Sequence, residues 1–302
     1  MKIAVIGAGA MGSIYGGNLS KENEVYLIDN NEEIVNKINK EGLIIQKDGV
    51  DQRFTPKATT NSEALPSIDL IILFVKSLYS RDALWNNKNL IGEHTCVMTL
   101  QNGSGHEDIL KEFVPLDRII IGTTEDNGAV LGKGCVRHGG RGKTNIGMLG
   151  EDRNDILPVV KKAFDDCGFK VVIHSNIKQL IWNKLFTNSS LSAVTAILQV
   201  DIGFIADNPY AFALTKSLIK EACAVAQGMG LEAKEEDIIE EVRNTSLESP
   251  KGCTSIRADI RDGRKTEVDT ISGAVVRAAE KLNIPVPNHT FVLNMIHALE
   301  QK

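Results

Sequence analysis

The spacing of hydrophobic positions changes once along the chain. Up to about residue 175, apolar residues fall in short, unbroken, β-branched runs, within Met1–Ile6, Glu24–Asp29, Ile68–Val75, Thr95–Leu100, Arg118–Gly122 and Lys170–His174. Such runs mark strands buried on both faces, as in a parallel sheet. Helical spacing lies between them at Met11–Leu19, Glu32–Asn39 and Asp155–Cys167, with Asn30 and Asn31 as caps for the second. Leu43–Lys57 reads as a short antiparallel excursion turning at Lys47-Asp48-Gly49. Val136–Leu149 alternates and is glycine-rich (Arg137-His138-Gly139-Gly140-Arg141-Gly142), which predicts a hairpin. From Ile177 onward the period is helical throughout: Lys178–Thr195, Asn208–Met229, Glu235–Thr245, Ile271–Leu282 and His289–Leu299. An α/β half followed by an all-helical half predicts two domains, 1–175 and 176–302.

The first thirty residues carry the clearest chemistry. The opening strand runs into Gly7-Ala8-Gly9-Ala10-Met11-Gly12, a G-x-G-x-x-G at the point where a helix should start. Gly7 permits the tight turn, Gly9 the approach of a pyrophosphate, and Gly12 close packing of helix on strand. The helix N-terminus then offers N–H groups and a positive dipole end to phosphates. Asp29 ends the next strand, about 20 residues on, where a carboxylate bonds the adenosine ribose. Strand, glycines, helix and acid in that order predict a Rossmann-type dinucleotide-binding domain, with Gly7 to Gly12 and Asp29 as cofactor contacts.

Composition narrows the class. The 302 residues are 42% apolar, enough for a core in each domain. Net charge is −5 and no long basic run occurs, which argues against nucleic acid. Five scattered cysteines without C-x-x-C spacing suggest reduced thiols in a cytoplasmic protein, not disulfides or a zinc site. No run approaches the ~18 apolar residues of a membrane span, and no metal-ligand cluster is in view. Ala211–Ile219 and Ala222–Met229 are apolar enough to form a homodimer face; burial in the core explains them equally well.

Ligands bind at the carboxyl ends of strands in an open α/β sheet, and often between domains. Lys76 and Asn102 each follow a strand. In the helical half, Lys184, Asn188 and Ser192 are spaced i, i+4, i+8 and form one polar stripe among Trp182, Leu185, Phe186 and Leu191. Such a stripe is either solvated surface or a site. A lysine among apolar neighbours is open to desolvation, which would make it a readier proton donor. Glu267, in Lys265-Thr266-Glu267-Val268-Asp269, either caps the helix that follows or takes part in a site.

Seven pieces in order resemble the ketopantoate reductase (2-dehydropantoate 2-reductase) family: Gly7–Gly12, Val75-Lys76-Ser77, Leu100-Gln101-Asn102-Gly103, Gly122-Thr123-Thr124, Trp182-Asn183-Lys184-Leu185 with Asn188, Ser255-Ile256-Arg257-Ala258-Asp259, and Thr266-Glu267-Val268-Asp269. The resemblance implies reduction of a 2-oxo acid to a D-2-hydroxy acid with NADH or NADPH. It implies Lys184 as general acid and Glu267 as a substrate-orienting carboxylate. Asn102, Asn188 and Ser255 become substrate contacts, and Lys76 and Asn102 cofactor contacts; Ser192, on the same polar stripe, is a further candidate substrate contact. Two positions depart from the pattern. NADPH-using members commonly carry Arg after the second strand, where this chain has Asp29-Asn30, which suits NADH. Many members have Asn where this chain has Ser192, which opens the substrate pocket and brings in a D-2-hydroxyacid dehydrogenase for branched or aromatic 2-oxo acids as an alternative. A non-catalytic dinucleotide-binding regulator fits less well, because a sensor would not need Lys184 and Glu267.

The remaining polar and aromatic residues have structural readings. His138 is expected to be exposed, and His106-Glu107-Asp108 to begin a helix with acids in its first turn. Asp259 and Asp262 with Arg257, Arg261 and Arg264 should form a solvated, salt-bridged face. Phe164, Phe169, Phe204 and Phe212 are expected in the core.

Overall fold

The computed structural model describes residues 1–140 and 142–302; Arg141, part of the predicted glycine-rich hairpin, lies outside the described residues. The chain divides into two compact units. The first holds Met1–Gln101 and His106–Ile177, and the second holds Asn102–Gly105 and Lys178–Lys302.

In the first unit, β1 (Lys2–Ile6), α1 (Ala10–Leu19), β2 (Glu24–Ile28) and α2 (Glu32–Glu41) follow the expected order. Then come β3 (Leu43–Lys47), β4 (Val50–Phe54), β5 (Lys57–Thr59), β6 (Leu70–Leu73), α3 (Ser80–Asn86), β7 (Cys96–Thr99) and α4 (Glu107–Leu110). The unit closes with β8 (Ile119–Thr124), β9 (Asn127–Gly132), β10 (Cys135–Gly140), β11 (Lys143–Met148), α5 (Ile156–Asp165) and β12 (Lys170–Ile173). The main sheet has eight strands in the order β12-β11-β8-β7-β6-β1-β2-β5. All its pairings are parallel except β11 with β8. From β1 the chain goes to β2 on one side and later to β6 on the other. The glycine loop therefore sits where the strand order reverses, the usual ligand position in such sheets.

A second sheet, β4-β3-β10-β9, has four strands. The antiparallel excursion is thus present as β3 and β4, but the predicted Val136–Leu149 hairpin is not. β10 pairs with β9 and β3, whereas β11 joins the main sheet between β8 and β12. Helix α1 lies between the two sheets, and its glycines make that possible. Gly16 faces Val5 and Leu27 of the main sheet, and Gly17 faces Leu43 and Ile45 of the second. β9 was missed because its residues are largely exposed and do not alternate in polarity.

His138 is buried, against expectation. The register of β10 shifts between His138 and Gly140, and the imidazole Nε2 lies 2.9 Å from Asp126 Oδ1, both side chains within the interior. Buried polar groups need a partner, and Asp126, distant in sequence pattern, supplies it. Phe164 and Phe169 are core residues, with Phe169 stacked on Tyr15 at 4.4 Å between centroids. His106 precedes α4, whose first turn carries Glu107 and Asp108.

The second unit contains α6 (Ile177–Thr187), α7 (Ala193–Leu198), α8 (Phe204–Asp207), α9 (Pro209–Gly228), α10 (Glu235–Glu248), α11 (Ser255–Arg261), α12 (Ser272–Leu282) and α13 (Pro287–Leu299). Asn208 caps α9 by accepting the N–H groups of Tyr210 and Ala211, with Pro209 at the first helical position. Ala211, Leu218, Ile219, Ala222 and Val225 of α9 are buried in this unit's own core. The apolar stretch considered as a homodimer face is therefore mostly interior; Tyr210 and Leu214 are exposed. Two other expectations fail here. Asp259 is buried and ion-paired with Arg264 at 2.9 Å, while Arg261 and Asp262 do form the solvated pair. Phe204 is exposed, and Phe212 is half-buried under the cations Lys216 and Arg243.

His289 gives this unit a pH dependence. It is fully buried, its Nε2 lies 3.0 Å from the Leu218 carbonyl, and burial drives its pKa down to about 4 against that hydrogen bond. In the unfolded chain the imidazole takes up a proton near ~6.5. The unfolded state therefore binds more protons across that window, and stability falls as pH drops. The expected loss is about 2 kcal/mol by roughly pH 5. His289→Gln, which keeps a donor for Leu218, should flatten the acid limb of a plot of Tm against pH.

Among the described residues all five cysteines are free, no helix is long and apolar enough to cross a membrane, and no His/Cys/Asp/Glu group could hold a metal ion.

Candidate functional site

In the first unit, the loop after β1 is shaped by two steric constraints. Gly7 has φ +103°, and a Cβ there would lie 2.9 Å from the backbone of Phe74 and Val75. A Cβ on Gly12 would lie 1.8 Å from the Gly7 carbonyl oxygen. Gly9 is different: it is exposed, with nothing within 4 Å of where its Cβ would be. It is also the N-cap of α1, and no side chain caps that helix. The first-turn N–H groups of Ala10, Met11 and Gly12 thus receive no side-chain cap, which fits a phosphate-bearing group.

Asp29 locks this loop to the next strand. Its Oδ2 accepts the Ala8 N–H at 2.7 Å and its Oδ1 accepts the Asn31 N–H at 2.9 Å. A carboxylate has about four acceptor positions, so lone pairs remain for ribose hydroxyls. Asn31, not Asn30, caps α2, through the N–H groups of Glu33 and Ile34. Gly7, Gly9, Asp29, Asn30 and Lys76 line one groove of about 720 Å³. Tyr79, Asp82, Asn86, Asn87 and Thr60 line it too, and none of them belongs to a sequence motif. For Tyr79, Asp82, Asn86 and Asn87 the signal was the strand end at Lys76, which leads into α3; Thr60 follows the end of β5.

In the second unit, α6 and α7 are joined through a π turn, Asn188–Ser192. The Ser190 hydroxyl donates to the Phe186 carbonyl at 2.6 Å, four residues back. Such back-bonding competes with the helix ladder and bends it, and π turns recur at functional sites. Each i, i+4 step of an α-helix drifts by about 40°. The wider turn sets back the residues after Asn188, so Ser192 drifts less from the line of Lys184 than a regular helix would allow. Lys184 is exposed, Asn188 half-buried and Ser192 buried. Trp182, Leu185, Phe186 and Leu191 are buried in the core. The predicted apolar surround of Lys184 is therefore absent: adjacent helix positions do not face one another, and those side chains point inward.

Ser255 opens α11, directly after Thr254, the N-cap that accepts the Arg257 N–H. Thr254 also meets Thr195 of α7, hydroxyl to hydroxyl, at 3.0 Å. The start of α11 is thereby tied to the helix that follows the π turn, and Ser255 is exposed beside it.

Glu267 sits just before a 3-10 turn, Val268–Thr270, but its side chain makes no capping bond. The capping alternative is thus set aside. Instead its Oε2 accepts from Asn102 Nδ2 at 3.4 Å. The segment 102–105 is held against this turn by one side-chain and one backbone hydrogen bond with Thr270. Thr270 Oγ1 donates to the Asn102 carbonyl at 3.1 Å, and the Thr270 carbonyl accepts the Ser104 N–H at 2.8 Å. Gly103 has φ +95°, and a Cβ there would lie 2.0 Å from the Thr270 oxygen. Only glycine permits that approach without a shift. Residues read from sequence as a strand end are, in space, part of the helical unit.

The family model described as ketopantoate reductase PanE/ApbA matches residues 3–151, and the one described as ketopantoate reductase PanE/ApbA C terminal matches residues 176–300. Over 304 residues the chain is 34% identical to the 2-dehydropantoate 2-reductase of Pyrococcus horikoshii, covering 99% of this chain and 98% of that one. It is 31% identical over 302 residues to the 2-dehydropantoate 2-reductase of Streptococcus pyogenes serotype M1, covering 99% and 98%. Among solved structures, the ternary complex of D-mandelate dehydrogenase with NADH and anilino(oxo)acetate superposes with a TM-score of 0.92 at 31% identity, covering 100% and 98% of the two chains. A PanE/ApbA family ketopantoate reductase from Ralstonia eutropha JMP134 gives 0.90 at 27% identity, covering 100% and 99%. With both halves of the chain matched and the whole length aligned, the protein belongs to the ketopantoate reductase family of oxidoreductases.

Proposed function

We propose that this protein reduces ketopantoate to (R)-pantoate, the reaction that feeds pantothenate synthesis. The observation that carries the reading is the Glu267 carboxylate set beside the Asn102 amide, on the unit that also presents Lys184. A carboxylate accepts a hydrogen bond from the tail hydroxyl of ketopantoate, and an amide donates to its carboxylate or carbonyl. The groove lined by Gly7, Gly9, Asp29 and Lys76 holds the dinucleotide. When bound, the nicotinamide supplies hydride to C2 of the 2-oxo acid. Negative charge develops on the carbonyl oxygen, and the Lys184 ammonium stabilises it and gives it a proton. Asn188, Ser192 and Ser255 contribute polar contacts to the substrate.

The second reading is a D-2-hydroxyacid dehydrogenase of the same fold. Ser192, shorter than the Asn of many relatives, and the match to D-mandelate dehydrogenase favour it. Steady-state kinetics with ketopantoate, 2-oxoisovalerate and phenylglyoxylate decide between them. The first reading expects kcat/KM for ketopantoate to exceed that for 2-oxoisovalerate by about ten-fold or more, the worth of one charge-assisted hydrogen bond. Preference for phenylglyoxylate would favour the second.

A further inference from the structure

We propose that α13 positions Glu267, with Glu300 and His297 clamping the turn that carries it. This rests on the reading of Glu267 as the carboxylate that orients the substrate. The residue before it, Thr266, is buried and donates twice to Glu300 Oε1, from its N–H at 2.7 Å and its hydroxyl at 2.6 Å. The same hydroxyl accepts the N–H of Val268, the residue after Glu267, at 3.1 Å. One side chain thus brackets Glu267 on both sides, and it is held by a carboxylate that is itself only 4% exposed.

The second oxygen of Glu300 faces His297 Nδ1 at 3.1 Å and Lys265 Nζ at 3.7 Å. His297 Nε2 faces Asp269 Oδ1 at 3.1 Å. The imidazole therefore bridges the helix end to the far end of the same turn. Both ring nitrogens meet carboxylates, which requires both to carry hydrogen. Burial opposes the charge on His297, but its bonds to Glu300 and Asp269 outweigh that and raise its pKa. Glu300 is lowered despite its burial, because Thr266 and His297 donate to it. The clamp is complete between those two titrations: it weakens as pH rises through the raised value of His297, and again as pH falls through the lowered value of Glu300.

The geometry gives α13 a role in substrate use that a merely structural anchor would lack. Glu300→Gln, Thr266→Val, Thr266→Ser and Glu267→Gln are to be compared by kcat and KM for ketopantoate, NADH affinity and Tm. A displaced Glu267 should raise KM about ten-fold in Glu300→Gln and Thr266→Val, with NADH affinity unchanged, while Thr266→Ser restores the KM of the unmodified enzyme. If Glu267→Gln raises KM and the clamp variants do not, the clamp is only an anchor and the proposal fails. If Glu267→Gln itself leaves KM unchanged, the reading of Glu267 fails first. Where Glu300→Gln does not fold, His297→Gln carries the test. KM of the unmodified enzyme should rise with pH through the His297 titration, and the variant should lack that rise; identical profiles overturn the proposal.

Discussion

Lys184→Ala should lower kcat by about 10²- to 10⁴-fold while leaving NADH affinity nearly unchanged. The lysine stands on α6 one turn before the π turn, exposed and in line with Asn188 and Ser192. In the proposed function it meets charge that develops on the substrate oxygen in the transition state, so its loss should appear in kcat more than in KM. The barrier increase is about 3 to 5 kcal/mol. Because the groove proposed for the dinucleotide is lined by residues of the other unit, cofactor titration by fluorescence should give nearly the value of the unmodified protein. Lys184→Arg should not rescue turnover, since guanidinium keeps its protons near neutral pH. Near-normal kcat in Lys184→Ala would remove it from the mechanism.

The second large effect concerns the cofactor. NADH should exceed NADPH in kcat/KM by about 10² or more, because bringing like charges together costs several kcal/mol. Among the described residues lining the groove, the acids are Asp29 and Asp82 and the cation is Lys76. Asn30 offers no charge, and α2 begins with Glu32 and Glu33. Ribose hydroxyls can donate to the free lone pairs of Asp29, whereas a 2′-phosphate would bring its charge against it. Asn30→Arg should raise NADPH use by adding a charge-assisted bond. Replacing Asp29 as well should narrow the preference further but loosen the glycine loop, since Asp29 accepts the Ala8 and Asn31 N–H groups. A clear NADPH preference in the unmodified protein would mean that Asp29 does not meet the ribose.

The features readable from the sequence are those set by local pattern. The G-x-G-x-x-G, the buried parallel strands and the capped helices each follow from neighbouring residues, and the family motifs point to Lys184, Asn102 and Glu267. What escaped depends on contacts between distant segments. The second sheet needs β9 and β10 to leave the main sheet and cover α1, and nothing in the exposed Asn127–Gly132 announces it. His138 looked exposed because its acid, Asp126, precedes it on another segment. The π turn at Asn188–Ser192 inserts an irregular step into the helix, which i, i+4 counting cannot detect. The placement of Asn102 with the helical unit depends on Gly103 meeting Thr270, 167 positions later in numbering. Asp29 was legible as a candidate ribose contact, but its bonds to the Ala8 and Asn31 N–H groups were not.

The reaction itself is tested most directly by incubating the purified protein with ketopantoate and NADH, following loss of NADH absorbance, and resolving the product on a chiral column. The proposed function requires NADH to be consumed in step with the appearance of (R)-pantoate. No consumption with ketopantoate under either cofactor, or a product of the opposite configuration, would contradict it.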